Sequence, residues 1–193
     1  MQRLITGNFI DEIRLRVAKI IAPKGALSDK VRFPTLWEIW RYKNHDDFMA
    51  SREDGNPFNF LMDYTDFGGN LLLNEGAEVI WNALTGLSAI TEFNNTNARI
   101  GVGDSSTAEA DTQTGLQGST SFKAMDTSFP ALSGTGNDTC EWQSVFGSGD
   151  GNQAWNEFTV DDGTSVNLNR KVSAQGTKSS GQTWTIKVSI QGV

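Results

Sequence analysis

The run Thr183-Trp184-Thr185-Ile186-Lys187-Val188-Ser189-Ile190-Gln191 leaves the backbone little choice. Apolar Trp184, Ile186, Val188 and Ile190 alternate with Thr183, Thr185, Lys187, Ser189 and Gln191. Successive strand side chains point to opposite faces, so this is a strand with one dry face and one wet one. Moving toward the N-terminus, the same period recurs in Val166-Leu168-Arg170-Val172, in Ala154-Asn156-Phe158-Val160, in Cys140-Trp142-Ser144-Phe146 and in Ala98-Ile100-Val102. Gly-rich and Asp-rich turns such as Gly147-Ser148-Gly149-Asp150-Gly151 and Asp161-Asp162-Gly163 separate them. Short alternating runs between such turns predict a mainly β protein, with an antiparallel β-sandwich or barrel over about 95–193. No repeat of 20–50 residues is present, which excludes a solenoid or propeller.

Upstream of residue 95 the pattern changes. Ala77, Ile80, Trp81 and Leu84 fall at helical spacing, and Gly86 stands where a left-handed C-cap is wanted. One packed helix is therefore expected, from Asn70 or Asn74 to about Thr85. Pro34-Thr35-Leu36-Trp37-Glu38 resembles a capping box, with Thr35 as N-cap and Glu38 three residues on. That predicts a short helix over about 35–44. Residues 45–69 mix turn formers with Phe48, Met49, Phe58, Phe60, Leu61, Met62, Tyr64 and Phe67, which reads as an irregular segment pinned to a surface by its aromatics. Among the first 30 residues, Ile13, Leu15 and Val17 alternate with Arg14 and Arg16 as a half-buried strand would, helical spacing fits almost as well, and Pro23-Lys24-Gly25 ends the element either way. The expected organisation is an N-terminal arm or attachment segment at 1–69 and a helix plus β-sandwich domain at 70–193.

Composition narrows the chemistry. The chain has 193 residues, with six Trp and eleven Phe, enough to build a core. A single Cys excludes an internal disulfide framework, and a single His, His45, removes most His-based catalysis and metal binding. Asp11 and Glu12 interrupt the first apolar stretch before a secretory or membrane-spanning length is reached, so a soluble chain made in the cytosol is expected, with no membrane partner. The net charge of −7 is unevenly shared: residues 1–60 hold 10 of the 16 Lys and Arg but only 8 of the 23 Asp and Glu. That mild basicity falls far short of the stripe that phosphate binding needs, and no direct nucleic-acid contact is expected.

Each residue with reactive potential has an ordinary reading. Cys140 lies in a predicted strand beside Trp142 and Phe146 and is expected to be core. His45 sits in a polar loop. Gly101-Val102-Gly103-Asp104 lacks the third Gly of a dinucleotide fingerprint and reads as a strand entering a turn. Asp150, Asp161 and Asp162 belong to turns. Glu141 and Glu157, each next to a Trp, are the only pair worth testing as an acid and base. With Trp142, Trp155 or Trp184 as sugar platforms, they make a carbohydrate-binding or hydrolysing module the alternative reading. No catalytic, cofactor-binding or metal-ligating residue is assigned, and no cofactor is expected.

The runs Asn70-Leu71-Leu72-Leu73-Asn74-Glu75-Gly76, Asn97-Ala98-Arg99-Ile100-Gly101-Val102-Gly103-Asp104-Ser105-Ser106-Thr107-Ala108, Gln113-Thr114-Gly115-Leu116, Ala154-Trp155-Asn156-Glu157, Leu168-Asn169-Arg170 and Thr183-Trp184-Thr185-Ile186 together resemble a family of small virion structural proteins of tailed bacteriophages. The likeness covers about two-thirds of the chain. It implies a non-enzymatic virion component: a capsid decoration or cement protein on the major capsid lattice, or else a tail, neck-adaptor or fibre component. It implies a homo-oligomer with other virion proteins as partners. In that setting Phe9, Phe33, Trp37, Trp40, Phe48, Phe58, Phe60, Tyr64 and Phe67 are expected to anchor the N-terminal segment on neighbouring subunits, because aromatics are enriched at interfaces.

Overall fold

The structure, a computed structural model, describes residues 33–192. Two antiparallel five-stranded sheets pack face to face as a sandwich. Sheet I has the order β2 (Leu61–Gly68), β1 (Thr35–Tyr42), β10 (Thr183–Gln191), β7 (Thr139–Phe146) and β6 (Ala131–Ser133). Sheet II has the order β3 (Leu71–Leu72), β9 (Asn169–Val172), β8 (Glu157–Asp161), β4 (Arg99–Gly103) and β5 (Thr120–Ala124). Neither sheet closes into a barrel. Two helices accompany them, α1 (His45–Glu53) and α2 (Asn74–Thr85).

The alternation read from the sequence is the alternation of the core. Trp184, Ile186 and Val188 of β10, Trp142 and Phe146 of β7, Ile100 and Val102 of β4, and Phe158 and Val160 of β8 are all buried in one cluster between the sheets. Rings carry the contact: Trp37 lies 5.7 Å from Phe158 and Trp155 lies 4.8 Å from Trp184, at the tilted and edge-on angles aromatic pairs favour.

The segment 35–44 corrects the sequence reading. It is not a helix but β1, paired through all eight residues with β10, from Thr35 opposite Ile190 to Tyr42 opposite Thr183. Trp37 and Ile39 face the core, while Trp40 and Tyr42 on the other face join a second cluster with Phe48, covered by Phe58, Leu61 and Tyr64. A strand wetted on neither face loses its polar alternation, and the aromatic run then imitates a helix. The short helix of this region begins at His45, where Asn44 accepts from the Asp47 amide at 2.8 Å as N-cap. Residues 61–68, expected to be irregular, form β2. The sandwich thus begins at Thr35 rather than after residue 69.

Candidate partner-binding surface

Helix α2 ends as expected: Gly86 takes φ 66°, and its amide donates to the Asn82 carbonyl at 2.8 Å. Only its first turn is firmly attached. Leu73 is fully buried and its amide donates to Leu168 O at 3.2 Å, while Glu75 Oε1 accepts from the Asn167 amide at 2.7 Å. Gly76 passes so close to β9 that a Cβ there would stand 2.2 Å from the Leu168 carbonyl oxygen. Beyond that turn Ile80 packs on the core, but Trp81, Leu84 and Leu87 are 62 %, 72 % and 82 % exposed. Trp81 and Leu84, three apart, are neighbours on one side of the helix.

Beside α2 lies an apolar cleft of about 390 Å³, at the end of the sandwich where β10 finishes and β1, β7 and β9 begin. Val79, Ile80 and Ala83 form the helical wall; Trp142, Leu168 and Ile190 form the floor; Phe33 and Leu132 stand at its border. The Trp142 indole donates to the Phe93 carbonyl at 3.0 Å and ties the segment after α2 to the core. Cys140 lines the cleft, and burial, with Glu141 next to it, pushes its thiol up to about 11. A thiol so rarely ionised is a packing group and a poor nucleophile.

The outer face of sheet II is closed by contrast. Glu157 and Arg170, both fully buried, pair at 2.7 Å. The Glu157 carboxylate also accepts from the amides of Gln117 (2.9 Å) and Gly118 (2.8 Å), while Arg170 donates to Thr107 O (3.0 Å), Ala108 O (3.3 Å) and Gln113 Oε1 (2.9 Å). The 104–119 loop is fastened across the sheet by one ion pair whose remaining hydrogen-bonding groups are met by the loop's own backbone and the Gln113 side chain. This role displaces the acid–base reading of Glu157. Trp142, Trp155 and Trp184, weighed as sugar platforms, are buried at 7 %, 0 % and 2 % exposure and present no ring face to a saccharide. Glu141 lies on the outer face of sheet I, 3.4 Å from Ser189 Oγ.

The nine aromatics expected to anchor the arm are dispersed. Trp37, Trp40 and Phe48 are core residues of this chain; Phe58, Tyr64 and Phe67 pack half-buried on the same clusters. Trp37, Trp40 and Phe48 are thus taken up by this subunit's own core, and Phe58, Tyr64 and Phe67 in part. Phe60 is 55 % exposed, Phe33 borders the cleft, and Phe9 lies outside the described residues. The surface that remains available corrects the reading of α2: of the residues whose spacing predicted a packed face, Ile80 packs on the core while Trp81 and Leu84 are exposed, with Leu87 exposed beyond them. Asp161, expected in a turn, is the buried last residue of β8 and pairs with Arg99 across the strands, while Asp162 accepts from the Thr164 amide as a turn residue does. Among the described residues no group of three or more His, Cys, Asp or Glu is placed to hold a metal ion, and no helix is long and apolar enough to cross a membrane. No family model, no curated protein and no solved structure matches the chain.

Proposed function

We propose that the protein is a non-enzymatic structural component of a tailed-phage virion, a capsid decoration or cement protein that docks on the major capsid lattice through the exposed side of α2. The phage setting rests on the sequence resemblance; the mode of attachment rests on Trp81 and Leu84, exposed in the C-terminal half of one helix, with Leu87 exposed just past its C-cap. Single exposed apolar residues are ordinary, but a Trp and a Leu adjacent on a helix that also walls an apolar cleft mark an interaction surface. Burying each against a partner is worth about 1.5–3 kcal/mol. The non-enzymatic reading is supported by the commitment of Glu157 and of Trp142, Trp155 and Trp184 to the interior.

The test is co-sedimentation of the purified chain with separated phage heads and separated tails. Saturable binding to heads in many copies per particle, lost in Trp81→Ser/Leu84→Ser, is the expected result. Binding confined to tails or necks moves the protein to an adaptor or fibre role, and binding to neither retires the proposal.

A further inference from the structure

The cleft beside α2 has an apolar floor and wall, and Phe33, the first described residue, stands at its border. The 32 residues that precede it therefore start from the cleft itself. They are rich in aliphatics, with Ile10, Ile13, Leu15, Val17, Ile20 and Ile21, and hold seven Lys and Arg against three Asp and Glu. The rest of the chain is strongly acidic: the whole carries −7, of which residues 1–32 contribute +4, leaving −11. At the cleft Glu92 and Asp138 supply carboxylates that form no ion pair among the described residues.

We propose that this cleft is the seat of the chain's own residues 9–21, with Ile13, Leu15 and Val17 set into it and Arg14 and Arg16 turned to Glu92 and Asp138. The spacing suits this: a segment seated in extended form would put the three aliphatics on one side and the two arginines on the other. The tether suits it as well. Eleven residues lie between Ile21 and Phe33, a reach of up to about 40 Å when extended, and Pro23-Lys24-Gly25 allows a reversal. Tethering at the border of its own seat gives the segment an effective concentration that a neighbour's copy lacks. Trp81, Leu84 and Leu87 stay free for a partner, so this inference does not rest on the virion reading.

The single native cysteine makes the test direct, because Cys140 lines the cleft. In the full-length chain, Ile13→Cys, Leu15→Cys and Val17→Cys are made one at a time, with Arg14→Cys and Arg16→Cys as controls on the opposite side. Each is oxidised with copper phenanthroline at low protein concentration and resolved by non-reducing electrophoresis and peptide mass mapping. The expected result is an intramolecular disulfide to Cys140 that forms at least about tenfold faster from position 13, 15 or 17 than from 14 or 16. Equal rates from both sets, or no disulfide, overturn the proposal. Disulfide-linked dimers alone also overturn it and assign the seat to a second copy. A parallel measurement needs no new cysteine: alkylation of Cys140 is expected to quicken about tenfold in Leu15→Asp, and an unchanged rate counts against a seated segment.

Discussion

The two ends of the sandwich are finished in different ways. Where β7 stops and β10 starts, polar groups are tied inside the chain: the Lys178 ammonium, 1 % exposed, donates to Gly147 O at 2.7 Å and Asn152 Oδ1 at 2.9 Å, and the Trp155 indole donates to Gly151 O at 2.9 Å. At the other end lie an apolar cleft, where ties such as the Trp142 indole to Phe93 O leave the aliphatic lining uncovered, and a helix held mainly by its first turn. The clasp of Glu157 and Arg170 on sheet II belongs with the first style. Most buried polar groups at that first end find partners within the chain, because an unmet one is costly; Thr183 Oγ1 and Trp184 Nε1, at the start of β10, are the exceptions. Apolar exposure is tolerated in the free chain and is relieved by whatever covers it. The comparison separates the parts that stabilise the subunit from the part that is free to recognise something else.

The sharpest way to break this contrast is to open the clasp. Arg170→Met leaves the Glu157 carboxylate buried and unpaired, and a loss of about 3–5 kcal/mol is expected in urea unfolding. Adding Glu157→Leu is expected to recover much of that loss, since the uncompensated charge then goes too. A cost below about 1 kcal/mol for Arg170→Met would mean that the 104–119 loop is held by other means. Next in size is Gly76→Val, which forces α2 away from the Leu168 carbonyl. About 1–3 kcal/mol is expected, read as a fall in thermal midpoint; an unchanged midpoint would show that the first turn is not the attachment.

A smaller effect tests the closed end. Burial lowers the Lys178 ammonium from its usual value to about 8, with Asp150 opposing the shift. Below pH 8 both folded and unfolded chains carry this proton, and the folded state bears the whole cost of burying the charge. Between pH 8 and 10.5 the folded state sheds the proton first, so the cost fades and this group makes stability rise with pH. Lys178→Met is expected to remove that upward contribution, seen as a difference in slope between the two pH profiles; parallel profiles would refute it. Smallest of all, Trp81→Ser/Leu84→Ser is expected to change stability by no more than about 0.5 kcal/mol while abolishing particle binding. A large destabilisation would place those side chains in the subunit's own packing.

The sequence disclosed strands whose faces differ and hid those whose faces do not. β10, β7 and β4 were legible from alternation, and α2 from helical spacing and Gly86. β1 was not, because Leu36, Trp40 and Tyr42 are buried on one face and Trp37 and Ile39 on the other, and Thr35 with Glu38 completes a false capping box. Glu38 serves instead as a cross-strand partner, opposite Lys187 in register and bound to it at 2.8 Å. The aromatics of 33–67 were legible as burial-seeking; that they seek this chain's own core depends on β1 lying between β2 and β10, a pairing that no local pattern encodes. The clasp was equally hidden: Glu157 alternates with Phe158 as a solvent-facing residue would, and Arg170 stands in phase with Leu168 and Val172 where an apolar residue was expected, so nothing local pairs the two beneath a loop.

The pairing of β1 with β10 has a consequence for synthesis. Thr35 meets Ile190, 155 positions later, so the centre of sheet I cannot form until nearly the whole described chain has been made. At about 5–20 residues per second the ribosome takes roughly 8–30 s to cover that distance. Through that interval Trp37, Ile39 and Trp40 have no strand β10 to lie against. The nascent chain is therefore exposed to aggregation for longest in its N-terminal third, and a message truncated before codon 183 yields a product that lacks the central strand β10 and leaves β1 with only β2 beside it.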